Sequence, residues 1–124
     1  MRKICTFLLL NFVVLLSFEQ LHAQATASEM QQLINDQFSF AAQQYKILEK
    51  NVPNDKMPKT YYANTGKVES SETKWWCSGF FPASLLYIYE HTNDQEVLSI
   101  ARKRLALQEP MKHYTGNHDL GFMM

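Results

Sequence analysis

Apolar side chains recur at intervals of three and four between residues 30 and 48: Met30, Leu33, Ile34, Phe38, Ala41, Tyr45 and Leu48. At 3.6 residues per turn, that spacing lays them along one stripe of a helix. Ser28 is placed to cap this helix through its hydroxyl, with Gln31 completing a capping box, and Asn51 and Pro53 stop it near Lys50. A second helix is predicted from about Gly79 to His91. Pro82 falls in its first turn, where the missing N–H is tolerated, and "ASLLYIYE" is apolar around most of the circumference, which predicts burial on more than one side. "HTND" is a tight break. Asn93 or Asp94 then caps a third helix with Val97, Leu98, Ala101, Leu105 and Gln108 on one face, ending near Glu109 before Pro110. Asp119 is placed to cap a fourth helix that barely begins.

The stretch between the first two helices, residues 53–78, holds Pro53, Pro58, Gly66 and the polar run "ESSETK", and reads as a long irregular connection. Connections of that length inside a domain are uncommon and often functional. Strand signals are nearly absent. The predicted fold class is therefore all-α, built of antiparallel helical hairpins, because short breaks between consecutive helices fold them back on each other. These helices carry more apolar surface than they can cover among themselves. Together with an apolar ending at "GFMM", this leads us to expect an amino-terminal fragment whose partner helices lie outside the chain.

The first residues read differently from the rest. Arg2 and Lys3 form a basic head, Ile4 to Phe18 run apolar apart from Thr6, Asn11 and Ser17, and Ala23 and Ala25 make an A-x-A site. That pattern is a secretory signal peptide over residues 1–23, with residues 24–124 as the domain and a periplasmic or secreted destination. The apolar run is shorter than the roughly 20 residues of a spanning helix, so no membrane association is expected after cleavage. Cleavage removes Arg2, Lys3 and Glu19, two positive charges and one negative, and moves the formal charge from 0 to −1. A surface of that balance has no electrostatic footprint for nucleic acid. One cysteine remains, Cys77. Its setting in "WWCSGFF" fits a buried small apolar filler better than a nucleophile, since no neighbour supplies an activating base.

Two short stretches carry candidate chemistry. In "WWCSGFFPAS" adjacent tryptophans close the long loop just before a helix start; an indole face there either stacks on the apolar face of a sugar ring or packs in a core. In "GNHDLGF" a carboxylate stands beside an imidazole. Asp119 is either a general acid, a base or an electrostatic stabiliser of positive charge, or an ordinary helix cap. His118, like the other histidines, has no metal-ligand spacing to a second His or Cys, so neither a metal nor a cofactor is expected.

Taken together, a Trp, one spacer, Ser-Gly-Phe-Phe-Pro, a helix reading "SLLYIYEHTND", a further helix and then "HDLGF" resemble the amino-terminal part of the unsaturated glucuronyl hydrolases of glycoside hydrolase family 88. "MPKT" and "TGNHDLGFMM" add to the resemblance, which covers about residues 28–124. Ala83 departs from it where a Gly is usual, and Leu86 where an aromatic residue is frequent. The resemblance implies the first part of an (α/α)6 barrel. It puts Asp119 at the family's first essential aspartate, Trp76 at a Trp lining the sugar subsite and His118 at the residue before that aspartate. The family's second aspartate, credited with proton transfer, has no counterpart up to Met124. The implied activity is hydration of the C4=C5 double bond of unsaturated glucuronyl sugars released by polysaccharide lyases, with an unsaturated uronate oligosaccharide as substrate and a chain inactive by itself. The alternatives are an unsaturated rhamnogalacturonyl hydrolase of the same barrel type, or a non-catalytic helical truncation product.

Overall fold

In the computed structural model, residues 2–116 and 118–123 are described, with side chains from residue 26 onward. The elements run in the order α1 (Arg2–Lys50), β1 (Met57–Tyr62), β2 (Lys67–Ser71), α2 (Phe80–Thr92), α3 (Gln95–Gln108), a 3-10 turn (Glu109–His113) and α4 (Leu120–Met123). Two units divide the chain, Met1–Asp36 and Gln37–Met124. The first consists of α1 as far as Asp36; everything that follows concerns the second unless stated. Among the described residues no helix is long and apolar enough to cross a membrane.

The fold is mostly helical, as the periodicity predicts, and departs from the expectation in several places. Ser28 does not cap α1, because the helix begins far upstream and passes through that position; the run "AQATAS" contains strong helix formers and no breaker, so nothing stops propagation there. The connection after α1 is also not irregular. "MPKTYY" and "KVESS" pair as an antiparallel hairpin, with Tyr61 opposite Val68 and Tyr62 opposite Lys67. Thr60, Tyr61, Tyr62 and Val68 are β-branched or aromatic and suit a pleated surface. Gly66 takes a φ of 67° at the end of the loop between the strands, and its N–H returns to the Tyr62 carbonyl at 2.8 Å. The register slips between Pro58 and Thr60, next to the residue that has no N–H to offer the ladder. On the exposed face Glu69 takes hydrogen bonds from Lys59 and the Tyr62 hydroxyl, both at 2.6 Å.

The core forms where three helices and the first strand meet. Ala42 of α1, Met57 of β1, Phe81, Leu85 and Ile88 of α2, and Val97, Ile100 and Ala101 of α3 are buried together, with Phe38, Tyr45 and Leu48 packed against them. The predicted stripe on α1 is thus the buried one from Phe38 onward, whereas Met30, Leu33 and Ile34 stay exposed. Its Tyr45 ring stacks on Phe81 at 5.6 Å, and Phe38 stacks on His91 at 4.1 Å. On α2 the Phe81–Leu85–Ile88 side is buried while Tyr87 is exposed, so the expected burial on several sides is only partly met. Further surplus apolar surface lies open at Phe40, Ile47 and Leu105.

On α3 Val97, Ala101 and Gln108 of the predicted face are buried, and the departure is at one position. Leu105 is exposed, and its neighbour Arg104 is fully buried. Arg104 donates from Nε to Glu49 Oε2 at 2.8 Å, from Nη1 to the carbonyls of Pro53 and Lys56, and from Nη2 to that of Val52 at 3.3 Å. A helix end leaves its last carbonyls without partners, and in the turn after it only the Pro53 carbonyl takes a backbone bond, from the Lys56 N–H at 3.1 Å, among the bonds seen there; the guanidinium fork supplies several donors in one plane. α3 itself starts at Asp94, whose carboxylate accepts from the N–H groups of Glu96 and Val97 at 3.0 and 3.2 Å and from Lys46 Nζ at 2.7 Å. Lys46 holds the Asp94 carboxyl below its ordinary value, helped by the two backbone N–H groups.

Replacing Arg104 by Ala should destabilise the protein by about 3 kcal/mol, because the largely buried Glu49 loses its guanidinium partner and keeps only Lys103 on its outer side, and the carbonyls of Val52, Pro53 and Lys56 each lose a donor; urea unfolding followed by far-UV circular dichroism measures it. Asp94→Ala should cost about 1 kcal/mol near neutral pH. Since the folded carboxyl is depressed, its contribution is present above the ordinary value of about 3.9 and is lost as pH falls through the lower folded value, so the deficit should vanish in acid unfolding curves.

Candidate functional site

The site grows out of the segment between β2 and α2. Trp75 N–H bonds back to the Glu72 carbonyl at 3.1 Å, Ser78 N–H to Trp75 at 2.9 Å and Phe80 N–H to Cys77 at 3.1 Å, which coils the segment into successive turns. Ser78 is 1 % exposed and its hydroxyl donates to the Thr73 carbonyl at 2.5 Å. That bond fastens the tryptophan turn to the start of α2, a role that sequence reasoning missed; a Ser two positions before a helix is too common a feature to single out.

The turn then meets α4. Gly79, the residue before α2, has no side chain, and a Cβ there would stand 2.5 Å from the Phe122 carbonyl oxygen and 2.8 Å from the Met123 carbonyl carbon. Close backbone approach of this kind is open only to glycine. On its outer side the Trp76 ring meets Phe122 edge-on at 6.2 Å and Phe80 at 6.5 Å, while Phe80 and Phe122 meet at 5.7 Å. Trp75 closes the cluster against Trp76 at 6.2 Å. Trp76 is 46 % exposed, Phe80 48 % and Phe122 51 %, so these three rings form an open aromatic surface.

Asp119 stands three residues before Phe122, and its carbonyl accepts the Phe122 N–H at 2.9 Å in the first turn of α4. Its side chain is partly buried, and Oδ2 lies 3.4 Å from Nε2 of the well-exposed His118. That contact is an ion pair when the imidazole is protonated. The negative charge of Asp119 is also felt at Cys77: burial pushes the thiol up, and the carboxylate pushes it further in the same direction. Cys77 is half-buried rather than buried as expected, but a thiol held protonated in this way is a poor nucleophile.

The two stretches, separated along the chain by α2, α3 and the 3-10 turn, are therefore adjacent in space. Phe122 links them, its ring meeting Trp76 and its N–H bonding the Asp119 carbonyl, and Cys77, next to Trp76 in sequence, feels the Asp119 charge. Cavities of about 300 Å³, lined by Tyr45, Tyr61, Trp75, Cys77 and Phe80 among others, and of about 280 Å³, lined by Gly79, Leu86, Gln108 and Met123 among others, lie beside this seam. Neither is lined by Trp76, His118 or Asp119. Gln108 is 3 % exposed with both amide atoms unpaired. Among the described residues no three His, Cys, Asp or Glu side chains come together as metal ligands would.

No protein-family model matches the chain, and no curated protein does. A solved structure does: the crystal structure of an unsaturated glucuronyl hydrolase specific for heparin is similar with a TM-score of 0.63 and 28 % identity, over 72 % of this chain. The chain spans 24 % of that protein's length. It thus has the helical, glycoside-hydrolase-like fold of that neighbour over the matched residues.

Ser78→Ala removes the bond to Thr73 and leaves a part-buried carbonyl short of a donor. It should lower stability by about 1–3 kcal/mol and shift the tryptophan emission, read by thermal melts followed by fluorescence.

Proposed function

We propose that this chain forms part of a secreted or periplasmic glycoside hydrolase that hydrates the C4=C5 double bond of unsaturated glucuronyl sugars. The observation that carries this reading is the meeting of Trp76 and the Asp119 turn at the Gly79 seam, in a fold similar to an unsaturated glucuronyl hydrolase. The substrate is an unsaturated uronate at the non-reducing end of an oligosaccharide left by a polysaccharide lyase. Residues 1–23 act as the signal peptide.

Such a uronate is an enol ether. Protonation at C4 makes C5 oxocarbenium-like, water adds at C5 with loss of a proton, and the hemiketal opens to release the partner sugar. The Trp76 face, exposed beside Phe80 and Phe122, is the platform for the ring, an aromatic surface suited to the apolar side of a sugar. Asp119 holds the sugar and stabilises the positive charge that develops at C5. His118, paired with it, is a polar contact for the substrate. The proton donor is a second carboxylate that this chain does not supply; two carboxylates close together hold one of them protonated at higher pH than usual.

Turnover is followed by the loss of ultraviolet absorbance of the unsaturated uronate. The 124-residue chain should show none, whereas the sequence continued by helices that supply the second carboxylate should show it. In that active form Asp119→Asn should cut kcat by about 100-fold or more while leaving circular dichroism unchanged. Retention of most activity would reduce Asp119 to a helix cap and overturn the assignment.

A further inference from the structure

We propose that Gly79 is a positioning residue: by carrying no side chain it lets the start of α2 seat directly on the backbone of α4, and so sets the place of Asp119 relative to the Trp76 indole. The inference rests on the assignment of Trp76 and Asp119 to one sugar-binding site, but its geometry is independent of that assignment.

α4 is a single turn of four residues. One turn has no stability of its own, since a helix nucleus fixes many dihedrals for one hydrogen bond. Its position is therefore decided by what it rests against. Besides the Phe122 ring contacts with Trp76 and Phe80, two features stand out. Met123 is fully buried, and the Phe122–Met123 peptide lies against Gly79 at a distance no Cβ could share. Any side chain at 79 drives α4 outward by about half an ångström, judged from the 2.5 Å that a Cβ would have to the Phe122 oxygen. The shift is transmitted in two directions, to Asp119 at the head of the turn and to the Phe122 ring that meets Trp76. Displacements of this size at a reacting centre are costly, about 100-fold for 1 Å. Gly121, in the same turn, has nothing within 4 Å of the position its Cβ would take. The requirement for glycine is thus local to the seam and is not a general property of α4.

Cys77 gives a readout that needs no turnover. Its thiol lies two residues from Gly79 and is raised by burial and by the Asp119 charge, so retreat of α4 relieves both causes. In a Cys5→Ser background, the pH profile of iodoacetamide alkylation reports on Cys77 alone, because the thiolate is the reacting form. Gly79→Ala should shift the profile to lower pH and raise the neutral-pH rate roughly two- to threefold, with far-UV circular dichroism retained. Met123→Ala, which releases α4 without adding a Cβ at the seam, should do the same and decides the matter if Gly79→Ala does not fold. Gly121→Ala should leave the profile unchanged. Asp119→Asn should also lower it, but by less when combined with Gly79→Ala than when made alone, since in the combined variant the carboxylate has already withdrawn. A folded Gly79→Ala protein with the parental profile, or an Asp119→Asn shift of equal size with and without Gly79→Ala, would overturn the proposal. Because no step requires catalysis, loss of the hydrolase reading would leave these outcomes as they stand.

Discussion

Arg104 ties together the parts of the molecule that do not otherwise share a backbone ladder. It projects from α3, is sealed from solvent, and spends its guanidinium on Glu49 near the end of α1 and on the carbonyls of Val52, Pro53 and Lys56 in the turn that follows. Taking a charge out of water is expensive, and the arrangement is tolerable because the donors meet an acceptor set with matching geometry. The direction in which the chain leaves α1 is fixed by this contact, and with it the place where Met57 enters the core and the hairpin begins. Lys103 reinforces the same junction from outside, reaching Glu49 and Asn54 at 2.8 and 2.6 Å.

From that junction the chain passes through the hairpin to the tryptophan turn, and Ser78 and Gly79 then do opposite things. Ser78 binds inward, to Thr73, and fixes the turn to its own segment. Gly79 contributes only absence, leaving room for the α4 backbone. The aromatic surface of Trp76, Phe80 and Phe122 follows from the two together: the first two rings come from the turn and the helix it starts, the third from a segment beyond α3. An indole that packed in the core could not offer a face to a sugar. Trp76 is half out of the protein because Trp75 and Phe81 take the inner positions, Trp75 beside the cavity and Phe81 in the core.

The helices were legible because their signals are local. The cap at Asp94, the breaks at Asn51 and Asn93, the Pro82 in a first turn and the apolar spacing from Phe38 to Leu48 each act within a few residues, and all stand where the pattern puts them. The hairpin was not legible: its strands are short, one contains a proline, and their pairing is a contact between segments that no window on one of them reveals. On α3 the expected face holds at Val97, Ala101 and Gln108, and Leu105 alone was misjudged as buried, for a related reason. Leucine outranks arginine on any burial scale, yet Arg104 is inside and Leu105 is out, because Glu49 and three carbonyls wait on the inner side.

What the sequence by itself determined is the set of helices, the aromatic and acidic residue types offered for chemistry, and the motif order that resembles a glucuronyl hydrolase. These depend on periodicity, capping and residue identity, which are carried by neighbours along the chain. Only the tertiary structure decided that Trp76 and the Asp119 turn share a seam, that a glycine makes the seam possible, and that a buried arginine sets the frame around it. Those facts are distances between residues far apart in sequence, and they exist only once the backbone has closed on itself.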